Sequence, residues 1–214
     1  MTRFAPRPVR FGHRPGTTEV EADGLPTPQK VRLQARRAGG IAEAKQVLEH
    51  LPEPGASLHA VVTARLDLSD VLNALIERIG RCERMRIATL GYNARNMRAM
   101  LGWLDNGAVG SLALVASRFF HSHNQALWEE TLAEFRSRKQ RAACCHSHAK
   151  VVTLAFANGE RLSIEGSANL CGNGSGREQF ALIHDAGLHE FHATWIDGLL
   201  DRHEADPSDS PPAT

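Results

Sequence analysis

The sequence predicts a three-layer α/β fold with a mixed β-sheet. Two observations carry this. From residue 57 to residue 203, apolar runs of period two alternate with amphipathic runs of helical period. Late in that alternation two strand-like runs are joined by Asn158-Gly159, the dipeptide of a tight hairpin. A hairpin adds antiparallel pairing to a sheet otherwise built by strand–helix–strand crossovers.

Residues 1–40 are rich in Pro, Gly, Arg and Thr and show no hydrophobic period, so they read as a flexible leader. Residues 41–56 read as a short helix and a linker. IAEAKQVLEHL repeats apolar residues at Ile41, Ala44, Leu48 and Leu51, and PEPG ends it. LHAVVTARL (58–66) is a strand candidate. The helix LSDVLNALIERIG (68–80) follows, with Ser69 or Asp70 as N-cap and Gly80 near its end. MRIATLGY (85–92) is the second strand, and Asn93 caps a helix over 94–107. SLALVASRFF (111–120) is the third strand, followed by a helix over 123–140. One long strand is expected over AACCHSHAKVVTLAFA (142–157), paired through the Asn-Gly turn with ERLSIEGS (160–167). EQFALIHD (178–185) is the last strand, and 186–203 the closing helix. The domain is thus expected over 57–203, and 204–214 as a disordered tail.

Charge excludes little. Lys plus Arg number 25 and Asp plus Glu 24, so no global field draws the chain to nucleic acid. The basic residues are clustered, however, at Arg81, Arg84, Arg86, Arg95 and Arg98, and again at Arg136, Arg138, Lys139 and Arg141. Such clusters are solvated faces by default, and a strand-tracking patch if they flank a phosphate site. No apolar run approaches the ~18 residues of a membrane span, and the first residues lack a secretory apolar segment. A cytoplasmic protein with four free thiols is expected.

The chemistry concentrates in CCHSHAKVV (144–152). On a strand, alternate side chains share a face, which would align His146, His148 and Lys150. A lysine beside a histidine on a sheet face suits an anion, with Lys as point charge and His as nucleophile or proton donor. The hairpin returns GSANL (166–170) toward His148. There Gly166 permits a sharp turn, and Ser167 and Asn169 offer donors. Glu178, opening the next strand, could orient the imidazole. The same residues admit a zinc reading, with Cys144, Cys145, His146 and His148, joined by His121 and His123.

HAK (148–150), GSAN (166–169) and Glu178 resemble the H-x-K … G-S-x-N … E signature of the phospholipase D superfamily. The resemblance runs over roughly residues 57–200. It is nearest to the small single-motif bacterial and prophage proteins, which include metal-independent nucleases. Two departures stand out. Ala155 occupies the place of a usual aspartate, and the interval from Lys150 to Gly166 is longer than usual, which a longer hairpin absorbs.

The resemblance implies a metal-independent phosphodiesterase, a nuclease, without cofactor. It implies a homodimer with a shared site, where one His148 becomes a phosphohistidine and the other protonates the leaving oxygen. Lys150, Asn169 and Ser167 would stabilise charge on the phosphoryl group, with Glu178 beside them. Nucleic acid is the expected partner, DNA ahead of RNA, and no membrane. The alternative, motivated by Ala155, is a catalytically weak nucleic-acid-binding module.

Overall fold

The computed structural model describes residues 39–63, 66–171 and 177–204. Residues 1–38 of the expected leader and 205–214 of the expected tail lie outside the described residues. The strands are β1 (Ser57–Thr63), β2 (Cys82–Thr89), β3 (Val109–Ser117), β4 (Arg141–Cys145), β5 (Val151–Phe156), β6 (Arg161–Gly166) and β7 (Arg177–Ile183). The helices are α1 (39–47), then α2 (Leu68–Ile79), α3 (Ala94–Asp105), α4 (Arg118–His123), α5 (Gln125–Ser137) and α6 (Ala186–His203).

The seven strands of the described residues join one mixed sheet in the order β1-β7-β6-β5-β2-β3-β4. The pairs β2–β3 and β3–β4 are parallel. The pairs β2–β5, β5–β6, β6–β7 and β1–β7 are antiparallel. On one sheet face Met85, Ile87, Leu112, Leu114, Leu154 and Phe180 build the main core with the apolar sides of α2, α3 and α5. The other face has a smaller core, where Ala88, Val115, Ala143 and Cys145 meet Ile196 and Leu200 of α6. The three expected layers are present, with α6 as the helix of the second face.

Several boundaries differ from expectation, each for a local reason. Asp67, extended at φ −89° and ψ 140°, is the N-cap of α2, in place of Ser69 or Asp70, and its side chain makes no cap bond. The carboxylate is held instead by Arg95 at 2.7 Å. Asn93 caps α3 as expected, in a reciprocal capping box with Asn96. β3 stops at Ser117, because the Ser117 hydroxyl accepts the Phe120 N–H at 3.0 Å and starts α4. Residues 118–120 are therefore helical. The next expected helix splits at Asn124.

The largest correction concerns 142–157. It is two strands at different places in the sheet. β4 lies at the edge beside β3, whereas β5 lies between β2 and β6. Cys145 pairs with Ser117, the last residue of β3, so the ladder has no partner strand beyond it. The chain crosses over in 146–150 and re-enters the sheet at Val151, opposite Ala88 and Glu165. His146, His148 and Lys150 therefore do not share a strand face.

Candidate active site

The crossover still delivers His148 and Lys150 to one place. It passes the end of the sheet where β2 and β3 finish, β6 finishes at Gly166, and β5 and β7 begin. His148 is exposed and Lys150 half-buried. The Lys150 ammonium lies 3.3 Å from His148 Nδ1 and donates to the His148 carbonyl at 3.3 Å. Partial burial lowers the Lys150 pKa, and the Glu178 carboxylate acts in the opposite direction.

Opposite them, the end of β6 is stitched to β7. The Ser167 N–H donates to the Gln179 carbonyl at 2.9 Å, and the Gln179 N–H donates to Ser167 Oγ at 3.1 Å. The Ser167 hydroxyl donates to the Glu178 carboxylate. Gly166 is required by close approach. A Cβ there would lie 2.2 Å from the Gln179 carbonyl oxygen and 2.7 Å from Phe180 Cα. The reason expected from sequence, a turn needing unusual backbone angles, does not apply, since Gly166 is not among the glycines of positive φ. Asn169 is half-buried, with its amide oxygen enclosed and unpaired. Five residues thus come to one end of the sheet. Lys150 approaches the His148 ring, and Ser167 joins Glu178.

Sequence reasoning missed the floor beneath this turn. Asn96 Nδ2 donates to Ser69 Oγ at 2.9 Å and to the Leu170 carbonyl at 3.2 Å, tying α2 and α3 to the segment that carries Asn169. Arg95 bridges Asp67 and Asp70 at the start of α2. The capping box at Asn93 and Asn96 was the only readable sign of it. Also missed was a cavity of about 490 Å³ beside the imidazole, lined by Leu90, Arg118, Phe119, His146, Ser147 and His148.

Ala155 is buried in β5, between Arg84 of β2 and Arg161 of β6. Five strand residues put it roughly 16 Å from Lys150. A carboxylate there would meet the two arginines rather than the imidazole. The zinc reading loses its geometric basis with the divided strand. Cys144 packs against the main core and Cys145 sits in the smaller one. Among the described residues, no three His, Cys, Asp or Glu side chains are grouped to hold a metal.

No family model matches the sequence, and no curated protein matches it. Solved structures do. Nuc from Salmonella typhimurium, a phospholipase D family member, superposes with a TM-score of 0.51 at 12% identity, over 69% of this chain and 97% of that one. The fold is phospholipase D-like. NucT from Helicobacter pylori gives 0.50 at 16% identity, over 70% and 99%. A polyphosphate kinase from Porphyromonas gingivalis gives 0.51 at 13% identity, over 77% of this chain but 29% of that one. In this phospholipase D-like fold the HAK and GSAN segments flank one end of the sheet. No helix among the described residues is long and apolar enough to cross a membrane.

Proposed function

We propose that this chain is a metal-independent phosphodiesterase, a nuclease of the small single-motif phospholipase D type, acting in the cytoplasm as a homodimer. The observation that carries the reading is the convergence of the HAK segment and the GSAN turn at one end of a phospholipase D-like sheet, with Lys150 3.3 Å from His148. His148 is exposed, within reach of a substrate phosphate and of a second copy of the site.

A ring nitrogen of His148 attacks phosphorus, and the bond from phosphorus to the leaving ester oxygen breaks. His148 of the partner subunit gives that oxygen its proton. Water then attacks the phosphohistidine. The same partner imidazole takes the water proton, and the phosphorus–nitrogen bond breaks to release the monoester and restore His148. Lys150 and Asn169 stabilise the charge that gathers on the equatorial oxygens, helped by Ser167 when its hydroxyl turns from Glu178 to the phosphoryl group. Glu178 holds the Ser167 hydroxyl and lies within electrostatic reach of Lys150. Nucleic acid is the substrate, DNA ahead of RNA.

The test is cleavage of labelled single- and double-stranded DNA in excess EDTA, with His148→Ala in parallel. Wild type cleaves, and the variant loses activity by roughly three orders of magnitude or more while keeping its unfolding curve. A chelator-sensitive activity, or an active His148→Ala, overturns the reading.

A further inference from the structure

The cavity beside His148 has a wall that the phosphoryl chemistry does not use. Phe119 is 63% exposed, one of three large apolar side chains left so open among the described residues. It is not needed to hold its helix. The next residue, Phe120, is buried, and its ring meets Tyr92 with centroids 4.3 Å apart. Phe120 thus anchors α4, and Phe119 is left facing solvent and cavity.

The exposed ring is also braced. His123 lies against it with centroids 4.3 Å apart and 36° between planes. That imidazole is fixed in turn, since its Nδ1 sits 2.8 Å from the Phe119 carbonyl and 3.0 Å from the Ser122 hydroxyl. A rigid aromatic surface loses little freedom when something flat settles on it. The cavity of about 490 Å³ reaches His148 itself, with Leu90 as a further apolar wall and Arg118 and His146 as polar ones. Flat, apolar-faced and polar-edged describes a nucleobase. One sugar separates a base from its own phosphate, and Phe119 and His148 line the same cavity.

We infer that the cavity receives an unstacked nucleobase next to the scissile phosphate, with Phe119 as its stacking surface, so that the protein takes single-stranded nucleic acid in preference to duplex; the inference rests on the phosphodiesterase reading of His148. Base stacking on an aromatic side chain tolerates any sequence, because every base has a π-face. A base held inside a duplex cannot reach Phe119 without leaving its stack.

The experiment is binding, measured by anisotropy with His148→Ala protein so that the strand stays intact. The probes are a short labelled single-stranded oligodeoxynucleotide, the same strand made of abasic sugars, and the duplex. Adding Phe119→Ala weakens binding of the natural single strand roughly ten-fold or more. It leaves the abasic strand unaffected, and Phe119→Trp restores the difference. Equal losses on natural and abasic strands, no loss on either, or no binding at all would overturn the inference. So would a change in oligomeric state in Phe119→Ala, which assigns the ring to a contact between copies. Phosphatidylglycerol vesicles that compete in a Phe119-dependent way would assign the cavity to lipid and overturn it as well. Cleavage by wild type separates the two readings. Base-dependent binding at Phe119 without cleavage sinks the nuclease and keeps the base pocket, and cleavage with base-independent binding does the reverse.

Discussion

Gly166 sits where two strands are almost in contact, and the missing side chain is what lets them stay there. A methyl group at this position meets backbone atoms of Gln179 and Phe180 that cannot swing aside. Gly166→Ala must part β6 from β7 and pull Ser167 away from Glu178. We expect it to cost roughly 2 kcal/mol or more of stability and most of the activity, read by thermal unfolding and by DNA cleavage. The sequence marks this glycine only through its motif; the near-contact belongs to strand pairing, which a single run of residues does not display. His189 is a second single-residue case. It is buried at 3% exposure, and its Nε2 finds no hydrogen-bond partner. Burial, with Arg161 and Arg86 nearby, lowers its pKa from 6.5 to about 4. The unfolded chain therefore binds the proton first as pH falls. Stability contributed by neutral His189 is complete above about pH 6.5 and declines as pH drops toward 4. His189→Leu should flatten the stability profile across that window, measured by urea unfolding at several pH values.

At the scale of elements, the crossover between β4 and β5 shows what periodicity hides. Apolar and strand-compatible residues continue through two separate strands, and in both of them buried residues stand side by side rather than in clean alternation, so a run of sixteen suitable residues reads as one. The break is dictated from outside, by β3 ending at Ser117, and the signal for that end was the capping serine in SRFF. The closing helix was legible from end to end, with Asp185 as its cap accepting the Leu188 N–H at 2.7 Å. What holds it was not legible. Arg86 donates to both oxygens of Asp197 at 2.7 and 2.6 Å, pinning α6 to the middle of the sheet. A forked pair of this kind, with the arginine largely buried, should show real coupling. A double-mutant cycle of Arg86→Met and Asp197→Asn is expected to give on the order of 1–3 kcal/mol by chemical unfolding. A value near zero would mean that α6 is held by its apolar face alone.

Across the whole molecule, the fold class was readable because it rests on local patterns, period two and period 3.6, whereas the proposed site residues were picked out by two short motifs a hairpin apart. The strand order was not readable, since it depends on pairings between distant segments. The assembly is testable in the same global terms. If each active unit needs two copies of His148, then mixing wild type with excess His148→Ala and letting subunits exchange should depress activity more steeply than dilution. The remaining activity should follow the square of the wild-type fraction. A linear fall would show that each protomer works alone.

The strand order also sets a timetable. Ser57 of β1 lies opposite Ile183 of β7, and β7 is the last strand among the described residues. During synthesis β1 leaves the ribosome early, yet among the described residues its one neighbour in the sheet arrives after the other strands have been made. A nascent chain halted before residue 177 carries β1 with its whole hydrogen-bonding edge unmet.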